Sequence, residues 1–195
     1  MTTGSFAAAP MRCVLELGGV GRRAAAVAAA LTVGGAVTLG VFFTVGEPWG
    51  TINDWLSIGL GVATLPIAIE LAGRNPRSAP LVLGAAFDVA GVAVSTVFTA
   101  LLIARRMTFE ESLAGVLGGQ ALIGCWLLLV GLAAWSDPGS RRLATLAVTG
   151  GGGLVTTAVG VQAGGMESPI GAVGFMAALI GTAGFYALVR RRPER

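Results

Sequence analysis

Six apolar stretches recur along the chain with only short polar joints between them. They run over about 24–45, 52–73, 81–104, 113–135, 143–162 and 170–189. A helix rises 1.5 Å per residue, so about 20 apolar residues cross a hydrocarbon layer some 30 Å thick. Inside that layer no water satisfies the backbone, and a helix does so by itself. The pattern therefore predicts an all-α fold: a polytopic membrane bundle of six transmembrane helices, with short connections making consecutive helices antiparallel neighbours. Composition agrees. Only 12% of the 195 residues are charged, against about 25% in soluble domains, and the mean hydropathy is +0.81. With 54% hydrophobic residues, one soluble core of this size could not hide the apolar surface, and lipid must cover much of it.

This divides the chain into an N-terminal tail (1–23), a six-helix domain (24–189) and a short basic tail (190–195). In the first tail, Met11, Val14 and Leu15 follow Pro10 and could form one face of a short interfacial helix. Arg22-Arg23 then precede the first apolar run. That run exceeds the roughly 7–15 residues of a signal core, and no A-x-A pattern follows. The arginine pair reads as an anchor for the first span.

All 13 basic residues are arginine. An Arg-only, Ala/Gly/Val-rich composition points to a GC-rich bacterial genome. One set of flanks carries Arg12, Arg22, Arg23, Arg74, Arg77, Arg141, Arg142, Arg190, Arg191, Arg192 and Arg195; the other carries only Arg105 and Arg106, with Glu110 and Glu111 close by. The positive-inside rule then expects both termini on the cytoplasmic side of a bacterial inner (plasma) membrane. Trp49 and Trp55 fall near the outer interface, and Trp135 and Tyr186 near the inner one.

The three outward connections share a pattern. Each places a carboxylate just before, or in, the first turn of an even-numbered helix: Glu47, the Glu110-Glu111 pair, and Glu167. Thr108 with Glu111 fits a capping box, Thr51 with Asp54 a looser one, and Ser168-Pro169 an N-cap followed by proline at the first helical position. Negative charge also suits a helix N-terminus. The functional alternative is an acidic rim that gathers cations. Phe109–Val116 echoes Met166–Val173, which hints at a repeated hairpin. The first of these connections, Gly46-Glu47-Pro48-Trp49-Gly50-Thr51-Ile52-Asn53-Asp54, together with a Pro66-containing second span, resembles a hairpin of small multi-span bacterial integral membrane proteins of unknown function. The resemblance covers residues 24–75. It implies a bacterial membrane protein and brings no activity or site with it.

Polar groups at membrane depth are costly, and many are functional. Asp88 is the foremost candidate, roughly 10 Å inside the third span at 1.5 Å per residue. Gly84, Asp88, Gly91, Ser95 and Thr99 share one small, polar face that should meet another helix. Asp88 is either a hydrogen-bonded or protonated acid that fixes a helix contact, or a proton or cation carrier. Glu70 stands one turn from Arg74 and reads first as half of an i,i+4 pair. Gln120 lies at depth in the fourth span, suited to interhelical hydrogen bonding or to a polar track through Ser95 and Thr99. Two places are candidate helix breaks: Pro66, and Gly150, Gly151, Gly152 and Gly153, which serve either as a flat packing face or as a local unwinding of the kind found at transporter sites. The glycine run lacks the Lys-Ser/Thr ending of a phosphate loop. The chain's 31 glycines suit close helix packing.

Histidine is absent, which excludes His-ligated haem, His-zinc sites and Ser-His-Asp triads within the chain. Cys13 and Cys125 read as small apolar fillers. No catalytic, cofactor-binding or metal-ligating set stands out, so an enzyme is the least favoured class, and the arginine clusters are explained without nucleic acid. The expected surroundings are a lipid bilayer with a membrane-protein partner or a second copy. Two functions remain open: a helix-packing partner subunit or oligomer without its own chemistry, and a transporter of a small solute, proton or cation using Asp88.

Overall fold

The computed structural model describes residues 15–192. Six long helices account for most of them: α1 (Gly19–Val45), α2 (Trp49–Arg74), α3 (Ala79–Ile103), α4 (Phe109–Ala134), α5 (Arg141–Gly164) and α6 (Pro169–Val189), with a 3₁₀ turn at Pro138–Ser140 before α5. All six are long and apolar enough to span a membrane, and no strand occurs among the described residues. Arg12, Cys13, Arg195 and the Met11–Val14 part of the expected interfacial helix lie outside the described residues.

Each helix packs on the next in sequence, and α6 returns to α1. The bundle is a closed ring of alternating helices, so residues 15 and 192 share one end, called the terminal end below. Its outer surface is apolar. Val37, Ile69, Val97, Leu132, Val159 and Ile180, one on each helix, are all more than half exposed. Such a surface suits lipid, not water.

Most of the helices begin earlier than hydropathy predicts. α1 starts at Gly19 rather than 24, and α4 at Phe109 rather than 113. Polar first turns belong to the helix but not to the apolar run, because their N–H groups need capping partners. Thr108 and Glu111 supply these for α4 as a full capping box. At α6, Ser168 caps Gly171 N at 3.3 Å with Pro169 next in line. The box expected at Thr51 and Asp54 is not there. α2 starts at Trp49, so Thr51 is already helical, and Glu47 accepts its hydroxyl at 3.1 Å and its backbone N–H at 3.4 Å. Leu15 also departs from expectation. Residues 15–18 are not helical, and Leu15 and Leu17 are fully buried in the core.

Neither candidate break interrupts its helix. α2 runs through Pro66 and α5 through Gly150–Gly153. Proline frees only the carbonyl of Val62, and a helix flanked on both sides by neighbours tolerates that. The glycines stay helical because their backbones are wedged between α4 and α6. A Cβ on Gly150 would stand 2.8 Å from Thr182 N of α6, one on Gly151 would overlap the Gly124 carbonyl of α4, and one on Gly153 would overlap Ala178 of α6. Gly152 alone faces open space. The same device joins α3 to α4, where a Cβ on Gly91 would lie 2.6 Å from the Gly119 carbonyl.

Candidate functional site

The two halves of the bundle are built differently. In the half nearer the termini, Ala25 and Ala28 of α1, Ile67 and Leu71 of α2, Leu81 of α3, Trp126 and Val130 of α4, Ala144 and Ala147 of α5, and Phe185 and Val189 of α6 join Leu15 and Leu17 in one buried apolar cluster. Trp126 meets Phe185 edge-on at 6.4 Å between ring centroids, and Phe185 meets Tyr186 at 5.5 Å. These side chains close the ring.

In the other half Leu117, Ala158 and Val161 form a smaller buried apolar cluster between α4 and α5, and the interior beside it is not filled. A cavity of about 190 Å³, open in part, is lined by residues of all six helices. A single water needs roughly 10–15 Å³ measured this way, and drug-sized pockets begin near 300 Å³. The space therefore suits several waters or one small solute. Its walls mix apolar side chains such as Leu31, Leu60, Ile123 and Phe175 with many polar ones: Thr32, Asn53, Ser57, Thr64, Ser95, Thr96, Thr99, Gln120, Thr157, Thr182 and Tyr186.

Five of the lining hydroxyls are turned the same way. Thr32 donates to Ala28 O at 2.8 Å, Ser57 to Asn53 O at 2.9 Å, Ser95 to Val92 O at 3.3 Å, Thr157 to Gly153 O at 2.8 Å and Thr182 to Ala178 O at 2.7 Å. Each proton is spent on the residue's own helix, and the oxygen lone pairs remain. The Gln120 carboxamide makes no hydrogen bond with the described residues, and Thr96 Oγ1 is buried without a partner among them.

Asp88 sits just behind this wall. It is fully buried on α3, and both carboxyl oxygens meet the Thr64 hydroxyl of α2, at 2.9 and 3.0 Å. That hydroxyl also lies 2.8 Å from Gly61 O. Thr64 lines the cavity and Asp88 does not, so one hydroxyl separates the carboxyl from the open space. Tyr186 of α6, at the cavity floor, is within electrostatic range of Asp88.

The polar face predicted on α3 is present. Gly84, Asp88, Gly91 and Thr99 are buried and Ser95 is half-buried. Ser95, Thr99 and Gln120 meet in the cavity, with Asp88 connected through Thr64. Glu70 lies elsewhere, at the terminal end. It pairs with Arg74 at 2.9 Å as the spacing predicts, and it also accepts the backbone N–H groups of Gly18 and Gly21 at the start of α1. Glu47 and Glu111 are engaged at the starts of α2 and α4. Glu110 and Glu167 are exposed and make no hydrogen bond or ion pair with the described residues. Tyr186 is a buried cavity residue and not an interfacial ring.

Thr64 and Tyr186 escape a reading of the sequence, as do Asn53 and Ser57. A signal was present: Asn53, Ser57 and Thr64 follow helical spacing and mark one polar face of α2. Among the described residues no group of three or more Cys, Asp or Glu is placed to hold a metal ion. Comparison of the chain with family models, with curated proteins and with solved structures gave no match.

Proposed function

We propose that the chain is a multi-pass protein of a bacterial plasma membrane that takes a small polar solute into its intramembrane cavity and acts in that solute's passage or sensing. One observation carries the reading: a space of about 190 Å³ at membrane depth, lined from all six helices by hydroxyl and amide groups. Polar lining without a polar occupant is expensive in a membrane protein. The apolar cluster closes the terminal half, so the solute enters from the other side. The arginine distribution supports cytoplasmic termini, which makes that side the external one.

The alternative of a packing subunit without chemistry has less behind it. Glycine is abundant, but the close glycine contacts at Gly91, Gly150, Gly151 and Gly153 are made within one chain. They supply no reason of their own to invoke a partner.

The test is ligand-dependent stability of the purified protein in mild detergent. A bound solute raises the unfolding temperature by mass action. With glycerol, urea, ethylammonium and acetate as probes, at least one should raise the midpoint, and Thr157→Trp, which fills the cavity, should remove the rise. No shift with any probe, or an equal shift in Thr157→Trp, would count against a solute cavity.

A further inference from the structure

The hydrogen bonds around the cavity narrow the class of solute, given the reading above that the cavity holds one. Five wall hydroxyls, those of Thr32, Ser57, Ser95, Thr157 and Thr182, donate to backbone carbonyls. A hydroxyl has one proton and two acceptor positions, so these groups offer acceptors to an occupant. No arginine among the described residues lines the space, and the chain has no lysine or histidine. An anion would meet the amide and hydroxyl donors of Asn53, Thr96 and Gln120 but no positive charge, and it would stand close to Asp88. A donor-rich cation would find a ring of oxygens, with Asp88 one hydroxyl away.

Thr64 makes the link. Its single proton faces three acceptor oxygens, Gly61 O at 2.8 Å and the two carboxyl oxygens of Asp88 at 2.9 and 3.0 Å. The arrangement serves two states. With Asp88 ionised, Thr64 donates to the carboxylate and its lone pairs turn to the cavity. With Asp88 protonated, the carboxyl donates to Thr64, and Thr64 donates to Gly61 O. Little else among the described residues nearby can balance a charge on Asp88. It is the only charged residue of α3. The α4 face packed on α3 brings Gly119, Ile123 and Trp126. From α6 the titratable group in range is the Tyr186 phenol, neutral when protonated. An ionised Asp88 without a counter-ion would be an unpaired buried charge, which is strongly disfavoured.

We propose that the cavity binds a small primary ammonium ion in exchange for the proton on Asp88. The ammonium enters with its charge, the carboxyl proton leaves to water, and the charge inside the bundle is unchanged. No covalent bond other than O–H is broken. The N–H groups meet the hydroxyl oxygens, and a short alkyl group meets Leu60, Ile123 and Phe175. That mixed wall favours an organic ammonium over a bare metal ion, which wants an all-oxygen shell.

The experiment uses the purified full chain in weakly buffered detergent with a pH-indicator dye and ethylammonium as the probe. Saturable binding should release one proton per ion. Tetramethylammonium, which has no N–H, and sodium should bind at least about tenfold more weakly, the loss expected of one charge-assisted hydrogen bond. Asp88→Asn should abolish proton release and weaken binding about 10- to 100-fold on the same scale. Thr64→Ser should keep both properties, and Thr64→Val, which leaves the carboxyl in place, should lose the one-to-one release. Binding without proton release, undiminished binding by Asp88→Asn, or equal binding of tetramethylammonium would overturn the proposal. Cavity access is measured separately by labelling Gln120→Cys from solution. Labelling without ethylammonium binding removes the ammonium and leaves the cavity, whereas no labelling removes both.

Discussion

Glu70, one turn from the end of α2, accepts the backbone N–H of Gly21 at 3.1 Å in the first turn of α1, 49 residues earlier in the chain. Gly18 at the same helix start donates to its other oxygen. α1 has no side-chain cap of its own, so the carboxylate of a neighbouring helix fills that role and brings negative charge to the positive end of the helix dipole. A Cβ at Gly21 would overlap the Glu70 carboxylate, which would then have to shift away from the amides that it caps.

Glu70→Ala should therefore lower stability by about 1–2 kcal/mol, the usual cost of a lost cap. Arg74→Ala removes only the i,i+4 pair and should cost no more than about 0.5 kcal/mol. Thermal unfolding in detergent measures both, and hydrogen exchange at Gly21–Arg23 should quicken in Glu70→Ala alone. Equal losses in the two variants would show that the ion pair, and not the cap, is what matters.

The α5 glycines allow an internally controlled test. Gly153→Ala places a methyl group against the Ala178 backbone, whereas Gly152→Ala places one in open space. Overpacking of this kind costs about 1–3 kcal/mol, while alanine at an unhindered helical position gains about 0.5–1 kcal/mol over glycine. The unfolding midpoint should fall in the first variant and hold or rise in the second. Similar behaviour in the two would mean that α5 and α6 do not approach as closely as described.

Cytoplasmic termini can be tested without purification. A reporter that is active only in the cytoplasm should work when fused after Arg192, and fail when inserted between Arg106 and Thr108. The arginine pair at 105 and 106 is the one local conflict with this topology, and removing it should leave the reporter pattern unchanged. Activity of the inserted reporter would reverse the assignment of the cavity to the external side.

Much of this architecture is legible in the residues because the membrane imposes a single periodicity and length. Six apolar runs became six spans, and the cap at Thr108 was readable from spacing alone, as was the polar face through Asp88. Other features depend on contacts between distant segments. Thr64 looks like one threonine in an apolar run, and only the packing of α2 on α3 brings it to Asp88. Glu70 announces its partner four residues on, but not the backbone amides 49 and 52 residues away. The glycine run allowed both a packing face and a break, and it took the positions of α4 and α6 to decide for packing. Leu15 is not legible as a core residue because its segment has no helical periodicity, and only the assembled bundle buries it.

The central claim is that a hydrated space penetrates the bundle from the side opposite the termini and stops at the apolar cluster. Its most direct test is thiol labelling in intact cells, on a background with Cys13→Ser and Cys125→Ser, using a membrane-impermeant maleimide. Gln120→Cys and Ser57→Cys should label from outside, and Ala147→Cys, in the closed half, should not. Protection of all three, or labelling of Ala147→Cys as readily as the others, would contradict it.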